Sequence, residues 1–257
     1  AIYIIVAIVI SIINIKTFPE VFKQIFVGAF DFKAIFGGFG GSCVMYGIKR
    51  GLFSNEAGVG SAPNASASAE ISHPVKQGLV QGLSVYIDTI LVCTITGISI
   101  LLTGAYNVSA NGIDESALLF EGAKGIQYGI LFMQEAMTRA MGSAGGAMLS
   151  VIITVFCFTT LLAYSYELES SARYLWGDNK KAVNIIHIAF LACCFFGSFV
   201  NGAVIWPMGD TGVGLMTWFN IVAIIVLSPK VFKIIKDYDR QVKAGLGPIF
   251  DPGTVGI

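Results

Sequence analysis

Long apolar runs separated by short polar stretches organise this chain. A helix crosses a hydrocarbon core of ~30 Å with about 20 apolar residues, and residues 79–103, 144–166, 183–206 and 212–228 meet or approach that length. Residues 1–15, AIYIIVAIVISIINI, add a shorter span. The remaining candidate, residues 32–48, reads FKAIFGGFGGSCVMYGI, with Gly37, Gly38, Gly40 and Gly41 around Phe39. The pattern therefore predicts an all-α membrane protein with six segments, one of them broken, followed by a tail at 229–257 that starts as the basic helix KVFKIIKDYDRQVK.

Composition strengthens this reading. The chain is 55% hydrophobic and 12% charged with a mean hydropathy of +0.75, whereas soluble domains carry ~25% charged residues. The 16 basic and 16 acidic residues cancel, which gives no basic surface for nucleic acid and leaves the lipid bilayer as the expected partner. Alternating the segments puts Lys49, Arg50, Lys76, Arg173, Lys180, Lys181, Lys230, Lys233, Lys236, Arg240 and Lys243 on one side. Lys16, Lys23, Lys33, Lys124 and Arg139 fall on the other, so the positive-inside bias predicts a cytoplasmic tail and places 104–142 outside. Cys43, Cys93, Cys157, Cys193 and Cys194 lie in apolar runs without metal-ligand spacing and read as packing residues. The chain begins at Ala1, apolar from its first residue, which predicts that it belongs to something longer.

Glycines at 37, 38, 40 and 41 have two readings. Gly37 and Gly41 have the spacing of a close-packed helix pair. The full run is also enough to unwind a helix, and unwound backbone in a membrane lines protein or a watery cavity, as in the discontinuous helices of secondary transporters. Phe39 would then stand beside a substrate. In FCFTTLLAYSYE, Thr159 and Thr160 either bond their own upstream carbonyls or offer hard oxygen ligands to a small cation.

The polar stretch RGLFSNEAGVGSAPNASASAE, residues 50–70, reads as a thin gate of small side chains, with Ser54, Asn55, Glu56, Gly58 and Gly60 at its centre. Glu56 is expected either to cap a short helix starting after Ser54 or Asn55, or to pair with a base across the gate. Asp88 is read as having a partner in the bundle or as coordinating an ion. Asp210 is expected near the outer end of its helix, solvated, and His73 and His187 are expected to be bystanders. A membrane hydrolase using Ser54 and His73 is disfavoured because no Gly-x-Ser-x-Gly elbow surrounds Ser54. The glycines also lack the strand-helix context of a dinucleotide site, so the chain is not read as an enzyme and no cofactor is expected.

GLFSNEAGVGSAP, HPVKQGL and IDTILVCTITGISILLTG closely resemble the alanine/glycine:cation symporter family. GGFGG upstream, and Trp206, Asp210 and Gly214 to Met216 downstream, fall in the order that family shows. The resemblance implies a leucine-transporter-type inverted-repeat fold, of which this chain would cover roughly core helices five to ten, the N-terminal half being absent. It implies sodium-coupled symport of alanine or glycine at the cell membrane, with a proton as the alternative coupling ion. It also implies that Gly37, Gly38, Phe39, Gly40, Gly41 and Tyr164 contact substrate and that Thr159 and Thr160 hold sodium. The chain departs from the family pattern at Ala163, Tyr164, Leu168, Val213 and Thr217, which leaves substrate preference open. A passive channel and a fragment inactive alone are the alternatives.

Overall fold

The structure, a computed structural model, describes residues 2–30, 39–109, 118–127, 129–200 and 202–256. Its helices are α1 (Ile2–Ile13), α2 (Phe18–Phe30), α3 (Phe39–Asn55), α4 (Ala62–Ser66), α5 (Pro74–Tyr86) and α6 (Thr94–Thr103). After a two-stranded hairpin, β1 (Asn107–Ser109) and β2 (Leu118–Glu121), come α7 (Ile130–Met141), α8 (Ser143–Trp176), α9 (Lys180–Gly197), α10 (Gly202–Lys243) and α11 (Pro252–Val255). A π-helical segment, Ile87–Cys93, joins α5 to α6. Among the described residues, four stretches are long and apolar enough to cross a bilayer: Pro74–Thr103, Ser143–Trp176, Lys180–Gly197 and Val204–Lys243. A fifth span is available if Ile2–Ile13 and Phe18–Val27, bent by 102°, act as one.

This differs from the pattern-based segments in three places. Residues 1–15 continue into a second helix, because Asn14 Nδ2 donates to the Ile10 carbonyl at 2.9 Å and closes α1 before Pro19 enters the first turn of α2. Of the glycine run, Gly37 and Gly38 lie outside the described residues, while Phe39, Gly40 and Gly41 open α3. The third difference is the last turn between spans, expected at 207–211 but found at residues 198–200. Pro207 and Pro229 lie inside α10. Pro229 cannot donate to the Ile225 carbonyl, and the Ser228 hydroxyl donates to it instead at 2.8 Å, so the helix continues.

The chain forms two compact units. In the first (Ala1–Tyr46 and Asp88–Thr160), Tyr3, Val6 and Ile10 of α1 meet Met133, Ala136 and Met137 of α7 and Leu149 of α8 in a buried apolar cluster. The segment placed outside by the charge pattern therefore includes a buried helical face, Met133, Ala136 and Met137 of α7. The Tyr3 hydroxyl hydrogen-bonds Thr96 within this unit. Arg139 fastens the hairpin by donating to the Gly122 carbonyl at 2.7 Å and the Thr103 carbonyl at 3.2 Å. Asp88 lies in the first turn of the π-helix, a distortion that hydropathy alone cannot reveal.

The second unit (Gly47–Ile87 and Leu161–Ile257) holds the stretch singled out as a gate. Here polar side chains join several of the elements. Asn64 donates to the Ser171 hydroxyl at 3.5 Å and Gln81 to the Ser66 hydroxyl at 3.0 Å, fastening α4 to α8 and α5.

Candidate functional site

Within the second unit, α3 ends at Asn55 and the backbone changes hand. Glu56 has φ of 51°, the one positive value at a non-glycine residue among the described residues, and Gly58 and Gly60 follow at 84° and 97°. Only glycine adopts such angles without steric cost. Glu56 N still donates to the Leu52 carbonyl at 3.1 Å, so this residue closes a helix C-terminus. The expectation that Glu56 caps a helix N-terminus is thereby corrected. Its carboxylate instead accepts from Ser61 Oγ at 2.6 Å and from the Tyr164 side chain, with Glu167 of the same helix within electrostatic reach. Ser54 and Asn55 form the last turn of α3, Ser54 exposed and Asn55 half-buried.

One side chain on α10 pins the loop. Asn220 Nδ2 donates to the Gly58 carbonyl at 2.9 Å, and a Cβ added at Gly60 would stand 2.9 Å from Asn220 Cγ. Gly60 therefore needs both its backbone angle and its missing side chain, while Gly58 faces open space and needs the angle alone. Between them Val59 is 5% exposed, and Ser61 is buried as well. The loop is a closed, seated structure rather than a slack linker. The signal for Asn220 is present in the sequence, since it is the one amide in the apolar run 212–228.

A second junction lies beside the loop. Arg50 Nη2 donates to Asp210 Oδ1 at 2.6 Å, and Lys49 Nζ lies 3.3 Å from Asp210 Oδ2. The Arg50 guanidinium sits 4.5 Å from the Trp206 ring centre and 5.0 Å from that of Phe53, in the range of cation–π attraction. Gly209 permits this approach, because a Cβ there would stand 3.0 Å from Phe53 Cζ. Asp210 was expected at the solvated outer end of its helix; its side chain is 16% exposed and paired with two basic residues assigned to the opposite side. Starting α10 at Gly202 instead of 212 carries Asp210 two turns into the helix, level with the end of α3.

Thr159 and Thr160 each donate to the Phe156 carbonyl at 2.9 Å and are exposed. Their hydroxyl oxygens keep lone pairs while donating, so back-bonding and cation ligation remain compatible. Both histidines have neighbours in the structure. His187 Nε2 lies 3.7 Å from Glu169 Oε2, and His73 is fully buried against Asp237, Tyr238 and Phe250.

A family model described as the sodium:alanine symporter family matches residues 1–252. The chain is 41% identical over 257 residues to the sodium/proton-dependent alanine carrier protein of Bacillus sp. (strain PS3), covering 99% of this chain and 57% of that one. It is 36% identical to the amino-acid carrier protein AlsT of Bacillus subtilis (strain 168), over 97% of this chain and 50% of the relative. With the sodium/alanine symporter AgcS of Methanococcus maripaludis it shares 34% identity, over 93% of this chain and 49% of the relative. The chain thus spans about half the length of the curated relatives it matches. The match over 1–252 gives no support of its own to the expectation of an absent N-terminal half.

Proposed function

The chain belongs to the sodium:alanine symporter family, a family of transporters and not of enzymes, and from that premise we propose that it is part of a secondary carrier moving a small neutral amino acid into the cell together with a cation. It is a multi-pass cell-membrane protein, with apolar helices of the length a bilayer requires. The observation that carries the mechanistic reading is the seated loop at 56–61. It is held by one amide from α10, the hydroxyls of Ser61 and Tyr164 and two glycines at positive φ, a construction that closes tightly and parts at small cost.

In this reading the loop and the Arg50–Asp210 junction close one mouth of the carrier, and alternating access requires both to rearrange. The helices correspond to the fifth to tenth of a leucine-transporter-type inverted repeat. Gly37, Gly38, Phe39, Gly40 and Gly41 line the substrate where α3 begins, alanine or glycine being favoured by the limited room beside an aromatic ring. Tyr164, which meets Glu56, ties the substrate side of α8 to the loop. Thr159 and Thr160 contribute neutral oxygens to a sodium ion. A relative's name gives sodium and proton together, which supports either as the coupling ion.

The test is uptake by the protein reconstituted in liposomes. An inward sodium gradient is expected to accumulate alanine against its own gradient, with Thr159→Val/Thr160→Val leaving residual alanine binding insensitive to sodium. Passive equilibration without accumulation would support a channel, and undiminished sodium dependence in the double variant would leave the hydroxyls as helix back-bonders only.

A further inference from the structure

The C-terminal segment doubles back onto the start of α5. Gly245, at φ of 70°, ends α10 and turns the chain, after which Gln241 holds the returning strand by donating to the Ile249 carbonyl and accepting from Ile249 N, both at 2.9 Å. Phe250 N then donates to the Ser72 carbonyl at 2.8 Å, and Ser72 Oγ donates to the Pro248 carbonyl at 2.9 Å. Residues 246–251 are thus strapped to the segment that leads from the gate loop into α5.

His73 sits under this strap. Its ring centre is 5.0 Å from Tyr238 and 5.5 Å from Phe250, and Nε2 lies 3.6 Å from Asp237 Oδ2. Nδ1 accepts from Val75 N at 3.3 Å and so caps α5, whose first residue is Pro74. An acceptor at Nδ1 fixes the neutral ring with its proton on Nε2. Adding a second proton at Nδ1 would set a donor against a donor and destroy the cap. The charged groups around the ring are mixed in sign, with the Asp237 carboxylate facing Nε2. Asp237 is already bound by Arg240 and by Gln241, the latter donating to Oδ2 at 2.7 Å, and Lys76, which donates to Ser72 Oγ at 2.6 Å, adds like charge.

We propose that residues 246–251 are a strap latched by neutral His73, and that protonation of His73 releases the strap from the segment between the gate loop and α5. Its effect on transport rests on reading 56–61 as the gate, but the latch itself can be followed without transport. A nitroxide placed by Ile249→Cys, in a background with the native cysteines replaced, reports strap mobility by its spectrum. Between about pH 8 and about pH 5.5 the ratio of mobile to immobile label is expected to rise about fivefold, the factor that loss of a typical helix cap produces. His73→Asn keeps a capping acceptor that cannot titrate, so its ratio should stay level across the same range. Phe250→Ala should leave the label mobile at both values. A pH-independent ratio in the parent, an undiminished rise in His73→Asn, or an immobile label in Phe250→Ala would each overturn the latch.

Discussion

The apolar cluster of the first unit and the gate loop of the second hold themselves together by opposite means. Around Met133, Met137, Ile10 and Leu149, cohesion comes from buried hydrocarbon, which is non-directional and lost only when the helices separate. Around residues 56–61 it comes from the Asn220 amide, the Ser61 hydroxyl and three backbone angles of positive φ. Each hydrogen bond contributes only about 0.5–1.5 kcal/mol net, because water can replace it. The first region is built to stay in one state; the second can exchange its contacts for solvent and return.

The largest expected effect lies in the first region. Met137 is fully buried beside the close crossing of α7 and α8, where a Cβ on Gly145 would overlap the Met137 carbonyl. Met137→Ala should cost about 2–5 kcal/mol through a cavity the backbone cannot collapse. Thermal unfolding would register this loss, while thiol labelling in the loop should be unchanged. A comparable change in loop reactivity would mean that the two regions do not differ as argued.

Next is Gly60→Leu, which combines a left-handed backbone with an occupied site at Asn220. It should disfavour the seated loop by about 2–4 kcal/mol, adding chiral strain to overpacking. Gly58→Leu suffers only the strain and should have the smaller effect. Equal effects from the two variants would show that seating against Asn220 is unimportant. Asn220→Leu follows, removing the donor to the Gly58 carbonyl, a loss of about 1–3 kcal/mol where that group remains shielded. Its reactivity in the loop should rise without a matching fall in overall stability, the reverse of Met137→Ala.

Much of the fold is legible in hydropathy, because a bilayer imposes length and apolarity together on every span. The bend after Ile13 is signalled by Asn14 and Pro19, though the span pattern hides it. Pro207 misleads in the other direction. It reads as a break, yet α10 runs through it, so Asp210 moves from a solvated end to a partnered position. The candidate site was only partly visible. Glycines at 58 and 60 announce an unusual backbone, but nothing in the sequence states that Glu56 shares it and closes a helix instead of opening one. His73 is separated from Asp237 and Phe250 by more than 150 residues, and no local pattern links it to them. Long-range polar pairing follows from tertiary packing, which period and composition do not encode.

The proposed gate requires the loop at 56–61 to be a moving part, and Val59 tests this most directly. This side chain is 5% exposed in the seated state. In Val59→Cys, on a background with the native cysteines replaced and with the protein reconstituted in liposomes, the rate of reaction with a polar thiol reagent measures how often the loop leaves its seat. Sodium and alanine together should change that rate by about tenfold, the size of a typical coupling between ligand and conformation. Asn220→Leu should raise the starting rate and shrink the response. A rate in the parent that neither ligand alters would show that the loop is a fixed connection, and the proposed gate would be wrong.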